Sequence, residues 1–319
     1  MYHPLAGDGA HARRPRSGRP SRSGRPVRSR RRFEAGFLAL AAPAAVVYLG
    51  FLVGPVLAGF YFSLTRWDGL NEPIFVGLEN FVRLVSDHQF IGAVGHTLLF
   101  AVVIVAGQVG LGLGLALLLN RPRRGVAIYR GLFFAPSILS SVVVALIWGF
   151  IFNPLVGVLG QAARALGLGE GGLADVLGNQ ATALLGVSAV VIWQFAGYMM
   201  VIFLAGLKGI PADVYEAASL DGAAGARRFW YVTLPLLAPA TSVAITISLA
   251  GNLRLFDQVY LLTGGGPAGA TDTIATLIYR TAFANSDFGY SATQSVVLTI
   301  LVTIVVLGQR WLASRRNRT

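Results

Sequence analysis

Long apolar runs separated by short polar segments make up most of the chain beyond its N-terminal segment. A helix needs about 20 predominantly apolar residues to cross a hydrocarbon core of about 30 Å, and six runs meet that length. The predicted spans cover residues 37–64, 91–119, 131–152, 183–207, 235–260 and 293–312. The pattern therefore predicts an all-α integral membrane protein with six transmembrane helices.

The second predicted span is rich in glycine. Small residues allow two helix backbones to approach closely inside a membrane. The glycines are Gly107, Gly110, Gly112 and Gly114. They predict that this helix packs tightly against a neighbour.

Composition agrees with a membrane protein, since 55% of the residues are hydrophobic, 13% are charged and the mean hydropathy is +0.64. The absence of cysteine excludes disulfides, zinc–thiolate sites, iron–sulfur clusters and cysteine nucleophiles. The net charge of +12 could indicate nucleic acid binding. Because the basic residues lie mostly in segments flanking alternate spans, their distribution favours a role in membrane orientation instead.

The N-terminal segment, residues 1–33, consists mainly of arginine, proline, serine and glycine. It has too few large apolar side chains to fold, so we expect a disordered arm. A nucleic-acid-binding tail is one interpretation. A cytoplasmic arm that sets orientation and touches anionic lipid is favoured, because no aromatic residue is interleaved between Arg13 and Arg32. Residues 34–319 are predicted to form the membrane domain.

Basic residues are distributed asymmetrically about the predicted spans. With the N-terminus inside, the arginines in outside segments are Arg66, Arg83, Arg164 and Arg280. Nearly all the others fall in inside segments, as the positive-inside rule requires. The sequence thus predicts a multi-pass protein of the plasma membrane with both termini in the cytoplasm. It also places the segment between the fourth and fifth spans in the cytoplasm.

That cytoplasmic segment, about residues 208–234, is longer than a simple turn and reads as helix, glycine break and helix. Pro211 suits a first helical turn, and Asp213 and Glu216 suit the positive end of the helix dipole. Gly222 stands where the chain needs a positive φ to turn. A flat surface favours a docking element, with an ordinary interhelical loop as the alternative. The residues expected to form it are Ala217, Ala218, Ala223 and Ala224.

The stretch EAASLDGAAGARRFWYVTLPLL in this segment resembles the cytoplasmic "EAA loop" of permease subunits from binding-protein-dependent ABC importers. The matching residues are Glu216, Ala217, Ala218, Asp221, Gly222, Ala223, Phe229, Leu234 and Pro235. The resemblance implies that this EAA coupling loop inserts into a cytoplasmic ATPase and transmits its closure to the membrane helices. It implies that Glu216 contacts the ATPase, that Gly222 permits the turn, and that Asp221 caps or pairs locally.

Three segments predicted to lie outside resemble signatures of the carbohydrate-uptake branch, and of the first of its two permeases. They are residues 75–81, 261–267 and 287–290. The resemblance implies a sugar substrate, a second permease subunit, two ATPase subunits and an extracytoplasmic solute-binding protein. ATP would be bound by the partner ATPases, so no cofactor is expected in this chain.

Polar residues inside predicted spans are candidates for the substrate pathway. Tyr198 and Asn252 occupy positions that match substrate contacts in carbohydrate permeases. Gln194 lies four residues before Tyr198 and is chosen on polarity and helical phase alone. Hydrogen bonding between helices is the alternative for all three. Arg254 and Asp257, three residues apart, are expected to pair with each other.

The sequence offers no catalytic centre. Gly264–Gly266 cannot form a Walker motif, because the one lysine in the chain, Lys208, precedes Gly209 and Ile210. The glycines are interpreted as a tight outside turn, and the histidines lack metal-ligand spacing. The chain is therefore predicted not to be an enzyme.

Two other transporter classes remain as alternatives. A secondary transporter would need membrane-embedded acids and usually repeated halves, and the clearest acid near the membrane is Asp257, close to the surface. A permease of an ABC importer for another solute class would share the Glu216 motif but lack the outside signatures.

Overall fold

The computed structural model describes residues 42–121, 124–167 and 174–316. The predicted disordered arm, residues 1–33, lies outside this part of the chain. Internal contacts divide the chain into two units, residues 1–55 and 56–319, and the boundary falls inside the first helix, α1 (Ala42–Phe62). None of the residues in the most hydrophobic stretch of α1 is buried.

The second unit is mainly helical, as predicted, and it also contains one short antiparallel ribbon of two strands. After α1, the described elements are β1 (Thr65–Arg66), β2 (Ile74–Phe75), α2 (Glu79–Ser86), α3 (His88–Leu119), α4 (Val126–Phe134), α5 (Ser141–Phe152), α6 (Val158–Ala165), α7 (Gln180–Lys208), α8 (Ala212–Leu220), α9 (Gly225–Leu236), α10 (Ala238–Asn252), α11 (Asp257–Leu262), α12 (Ile274–Ala284) and α13 (Phe288–Arg316).

Membrane-spanning helices account for most of the described chain. The helices α1, α3, α7 and α13 are each long and apolar enough to cross a bilayer unbroken, as predicted. The other two predicted spans are each a pair of bent helices. Counting each bent pair as one span, six helical segments can cross the membrane, and the protein is a multi-pass membrane protein.

The third predicted span is not one helix. It consists of α4, a 3₁₀ turn at Ala135–Ile138 and α5, and the two parts meet at 97°. Pro136 lies in the 3₁₀ turn, and Leu139 then takes an extended conformation (ψ 143°). Hydrophobicity could not reveal this break, because the residues on both sides are apolar.

The fifth predicted span is bent and ends earlier than predicted. The helices α9 and α10 meet at 66° at Leu237, which stands between Pro235 and Pro239. Proline lacks an N–H donor and clashes with the preceding turn, so a helix bends there. The span ends at Asn252, and Tyr260, its predicted end, lies in the separate helix α11.

The core is centred on the pair α3 and α7, which makes the most extensive contact between two elements of the described chain. A Cβ on Gly112 would lie 2.5 Å from Met199 Cβ, and a Cβ on Gly107 would lie 2.8 Å from Ile192 Cγ1. These two glycines confirm the predicted close packing. Gly110 and Gly114, by contrast, face open space.

The break in the third span packs directly on α7. A Cβ on Gly197 would overlap the carbonyl oxygen of Phe133 and would lie 2.8 Å from Phe134 Cα. Glycine is therefore the only residue that lets the two backbones meet at this point. The contact places the 3₁₀ turn beside the middle of α7, where the candidate pathway residues lie.

Candidate functional sites

A cleft of about 550 Å³ opens among α3, α7, α10, α11 and the broken third span. Its lining residues are Gln108, Ser137, Ser141, Val191, Phe195, Tyr198, Met199, Ile247, Ser248, Gly251, Asn252, Arg254, Leu255, Phe256, Asp257 and Gln258. The walls combine apolar and aromatic surface with a few amide, hydroxyl and charged groups. That combination is typical of a small-molecule site.

Tyr198 and Asn252, both predicted on sequence, line this cleft from two different helices. Tyr198 in α7 is 38% exposed. Asn252 stands at the last position of α10 and is 6% exposed. Its Nδ2 donates to the carbonyl oxygen of Ser248 at 2.8 Å, to Ser248 Oγ at 3.1 Å and to Gln108 Oε1 at 3.3 Å. The structure thus brings together two residues that lie far apart in the chain.

Gln194 supports the cleft from behind and is not one of its lining residues. Its side chain is fully buried and donates to the carbonyl oxygen of Leu139 at 3.2 Å, inside the break of the third span. It accepts a hydrogen bond at 2.9 Å from Nε2 of Gln258, which does line the cleft. The Leu139 carbonyl lies just beyond the 3₁₀ turn, so Gln194 stabilises the break that shapes one wall.

Two further residues that the sequence pattern did not single out, Gln108 and Gln258, are both buried and both line the cleft. Gln108 is the one polar side chain among the glycines of the second span. Its position on an intramembrane helix was a signal that could have identified it. Gln258 was obscured because its segment was taken as the end of the fifth span.

Arg254 and Asp257 lie in the cleft wall, but they do not form the predicted ion pair with each other. The Nε of Arg254 donates instead to the carbonyl oxygen of Ala250 at 2.9 Å. That bond holds the guanidinium against the end of α10. The break between α10 and α11 separates the two residues, so they do not share the helical face that their spacing suggested.

The predicted EAA coupling loop forms a helix, α8, followed by a tight turn and a second helix, α9. Gly222 has φ +74°, as predicted. The N–H of Ala223 donates to the Ala218 carbonyl at 2.8 Å, and the N–H of Gly222 donates to the Ser219 carbonyl at 3.2 Å. This is the Schellman arrangement, which ends a helix at a left-handed residue and satisfies its last carbonyls.

The proposed contact residues of this loop differ in exposure. Glu216, Ala217, Asp221 and Gly222 are exposed, Ala223 is half-buried, and Ala218 is buried. The expectation that Ala218 contributes to a flat exposed surface is therefore wrong. The Asp221 side chain forms no hydrogen bond or ion pair with the described residues, while its backbone N–H bonds to the Ala217 carbonyl at 3.1 Å. Arg228 of α9 lies 5.7 Å from the ring centroid of Tyr215 in α8, which ties the two helices together.

Two of the segments that carried the carbohydrate-branch resemblance, residues 75–81 and 287–290, bond to neighbouring parts of the chain at one end of the bundle. Asn80 Nδ2 donates to the carbonyl oxygens of Ser63 at 3.1 Å and Thr65 at 2.8 Å. Arg83 forms an ion pair with Asp287 at 2.7 Å. These side chains are used within the protein, so the signatures report how this end of the fold is built.

The glycine turn at residues 264–266 is a true turn, as predicted. Gly264 has φ +59° and Gly265 has φ +89°. A Cβ on Gly265 would overlap the carboxylate of Asp272, which forms an ion pair with Arg280. Within the part of the chain that the structure covers, no cluster of histidine and acidic residues could hold a metal ion.

Comparison with known proteins agrees with this architecture. Residues 108–318 match the family described as "binding-protein-dependent transport system inner membrane component". The probable ABC transporter permease protein YurN of Bacillus subtilis is 36% identical over 84% of this chain and 92% of that protein. The multiple sugar-binding transport system permease protein MsmF of Streptococcus mutans is 34% identical over 85% and 92%.

The name of a third relative refers to a different solute. The sn-glycerol-3-phosphate transport system permease protein UgpA of Agrobacterium fabrum is 37% identical over 82% of this chain and 89% of its own length. Among solved structures, a chain of a bacterial alginate ABC transporter superposes with a TM-score of 0.79 at 22% identity, covering 92% and 99% of the two chains. That likeness shows the fold. The chain therefore belongs to the family of binding-protein-dependent transport system inner membrane components.

Proposed function

We propose that this chain is a permease subunit of an ATP-driven sugar importer, that it forms half of the translocation pathway, and that it couples to a cytoplasmic ATPase through residues 208–234. One observation carries the proposal. The exposed helix α8, the turn at Gly222, α9 and α10 follow one another along the chain, and α10 ends at Asn252 in the cleft. A movement applied at α8 therefore has a direct covalent route to the cleft.

In this mechanism, hydrolysis belongs to partner ATPase subunits, and this chain converts their closure into movement of its helices. Closure displaces α8, and the turn and the Tyr215–Arg228 contact carry the displacement to α9. The bend at Leu237 passes it to α10, whose far end carries Ser248 and Asn252. The cleft then alternates between the two sides of the membrane. A second permease subunit supplies the other half of the pathway, and a solute-binding protein delivers the sugar.

The orientation follows from charge. With α8 in the cytoplasm, Lys208, Arg227 and Arg228 lie inside with the C-terminal end of α13. The short ribbon of β1 and β2 then lies outside, together with α2, α11 and α12. The segments that resemble the carbohydrate branch consequently face the side from which a binding protein would approach.

A sugar suits the chemistry of the cleft. Tyr198, Phe195 and Phe256 offer aromatic surface for the apolar faces of a sugar ring, and Asn252 and Gln258 offer amides for hydroxyl groups. A second candidate substrate is a phosphorylated polyol. Arg254 in the cleft wall favours it, since guanidinium groups bind phosphate well, and UgpA transport systems are named for sn-glycerol 3-phosphate.

The proposal is tested by purifying the chain from its native membrane in mild detergent and identifying its partners. We expect a P-loop ATPase and a second six-helix permease to co-purify. The complex is then placed in liposomes, where it captures its binding protein from the cell-surface fraction. ATP-dependent uptake is measured for a panel of solutes. The panel contains glucose, galactose, mannose, xylose, maltose, sucrose, raffinose and sn-glycerol 3-phosphate.

Uptake of one of the sugars that stops when ATP is withheld supports the sugar importer. Uptake of sn-glycerol 3-phosphate alone moves the assignment to the second candidate. If the chain purifies alone and moves solute without ATP, it is a secondary transporter or channel, and the proposed function is wrong.

A further inference from the structure

A fully buried amide, Gln108, joins three helices directly behind Asn252. Its Oε1 accepts hydrogen bonds from Ser248 Oγ at 2.7 Å and from Asn252 Nδ2 at 3.3 Å. Its Nε2 donates to the carbonyl oxygen of Val191 at 3.2 Å. Gln108 lies in α3, Val191 in α7, and the other two residues in α10.

The Val191 carbonyl determines which way the Gln108 amide points. A carbonyl oxygen only accepts hydrogen bonds, so the NH₂ end of Gln108 must face Val191. The Oε1 end must then face α10, where Ser248 and Asn252 act as donors. The orientation of this buried amide is therefore set by a backbone carbonyl, which can accept a hydrogen bond but cannot donate one.

The orientation of Asn252 is set by the Ser248 carbonyl and by the oriented Gln108 together, since both accept from its NH₂ group. The NH₂ group of Asn252 is engaged by Gln108 Oε1 and by the carbonyl and hydroxyl oxygens of Ser248. Its Oδ1 has no hydrogen-bond partner among the described residues and is not one of their buried unpaired polar atoms. Since Asn252 lines the cleft, Oδ1 is the atom of this amide that remains for a ligand.

We propose that Gln108 is a positioning residue for substrate specificity. Together with the Ser248 carbonyl, it holds the Asn252 amide so that the cleft presents a hydrogen-bond acceptor. At this point the cleft selects a substrate group that donates a hydrogen bond. A sugar hydroxyl meets that requirement. The inference rests on the proposed function, because it assigns the detailed chemistry of the same cleft.

This requirement predicts that the cleft binds a sugar with a hydroxyl group at this position more tightly than the analogue with fluorine there. A C–F group cannot donate, so Asn252 Oδ1 would lose its partner when the sugar is bound. Leaving a buried acceptor unpaired costs about 1–3 kcal/mol, which corresponds to roughly 5- to 150-fold in binding. If the Asn252 amide were free to rotate, its NH₂ group could face the substrate instead and the penalty would fall.

The test compares two matched variants in the reconstituted importer, Gln108→Leu and Gln309→Leu. Gln309 of α13 also bonds to α10, since its Oε1 accepts from Thr246 Oγ1 at 2.7 Å, but it lies outside the cleft. ATP-driven uptake is measured for the best sugar of the panel and for each of its monodeoxyfluoro analogues. The binding protein is the same throughout, so its own preference cancels between permease variants.

We expect the unaltered protein to discriminate against fluorine at one position by at least about 10-fold. In Gln108→Leu that ratio should fall at least about twofold, because one of the acceptors that hold the Asn252 NH₂ group is lost, while ratios at other positions stay unchanged. Gln309→Leu should keep every ratio. Adding Asn252→Asp to Gln108→Leu should restore the preference for hydroxyl, because a carboxylate presents an acceptor in either orientation.

Equal loss of uptake for all analogues in Gln108→Leu, with ratios unchanged, would make Gln108 a packing residue and overturn the inference. The same conclusion follows if the unaltered protein transports the sugar but shows no fluorine discrimination at any position. If Gln108→Leu fails to assemble, Ser248→Ala replaces it and should lower the same ratio in part; an unchanged ratio there also overturns the inference. Absence of sugar uptake by the unaltered complex overturns the proposed function itself.

Discussion

At the scale of single residues, two positions require glycine for different physical reasons. Gly197 is required by space, because the backbone of Phe133 and Phe134 occupies the place of its Cβ. Gly222 has open space around it but needs a positive φ. The first glycine shapes the cleft, and the second shapes the proposed coupling loop, residues 208–234.

We expect Gly197→Ala to destabilise the protein by about 1–3 kcal/mol, as overpacking of a tight contact does. The new methyl group must push the break in the third span away from α7. The measurement is the thermal unfolding midpoint of the purified chain in detergent. The control is Gly110→Ala in α3, which meets no atom within 4 Å and should leave the midpoint unchanged or slightly higher. Equal midpoints for the two variants would contradict the close contact.

Gly222→Val should reduce ATP-driven uptake at least about 10-fold while the chain still inserts normally. A left-handed conformation costs a non-glycine residue about 1–2 kcal/mol, so the turn would open and α8 would lose its orientation relative to α9. Gly222→Asn is the control, because asparagine adopts this conformation more readily. Normal uptake by the valine variant would count against α8 as a coupling element.

At the scale of elements, the two bent pairs matter more than the straight spans. The break in the third span supplies Ser137 and Ser141 to the cleft, and the bend at Leu237 connects the coupling loop to α10. Leu237 is 0% exposed and packs in a cluster with Leu115, Met200, Phe203 and Leu207. The bend is therefore anchored in the core.

Leu237→Ala tests this anchor. Removing a fully buried leucine side chain costs about 2–5 kcal/mol, so the unfolding midpoint should fall clearly. Sugar-stimulated ATP hydrolysis by the complex should also become uncoupled from transport, because α9 could move without carrying α10. The neighbouring Leu236 is 46% exposed, and Leu236→Ala should change neither quantity much. If both variants behave alike, the bend is not anchored by Leu237.

The end of the bundle that carries the β1–β2 ribbon illustrates how elements distant in sequence are joined. Arg83 in α2 pairs with Asp287 just before α13 and lies 4.0 Å from the ring centroid of Tyr290. The Tyr290 hydroxyl donates to Asp87 at 2.7 Å. One arginine thus connects α2 to the start of α13 through a charge and an aromatic face. No property of either segment alone predicts that they meet.

At the scale of the whole molecule, the orientation in the membrane can be tested directly because the chain has no cysteine. Leu70, in the connection between β1 and β2, is 92% exposed, and Leu220, at the end of α8, is 90% exposed. Leu70→Cys should react with a membrane-impermeant maleimide from outside intact cells. Leu220→Cys should react only in inverted vesicles. The reverse labelling pattern would show that the topology is the opposite one, with α8 outside and therefore out of reach of cytoplasmic ATPases.

Four of the six spans and the turn at Gly222 could be predicted from the sequence because their physics is local. A bilayer requires about 20 apolar residues in a row, and a helix that ends on a left-handed residue favours glycine at that position. The sequence predicts each of the two broken spans as a single helix, since apolar residues continue across their breaks. Ala218 was assigned to an exposed surface because alanine spacing does not reveal which face of a short helix packs inward.

The order of the amino acids by itself thus determined the fold class, the number of spans, the charge asymmetry and the family signature, because each depends on neighbours within a few helical turns. The cleft was decided only by the tertiary structure. It forms where Gln108, Val191 and Asn252 come together from three helices, and their hydrogen bonds, which set its polarity, connect residues more than 50 positions apart. Gln194 matched the helical phase of Tyr198 yet lies buried behind the cleft wall, because packing against the broken third span determines which polar side chains reach the ligand.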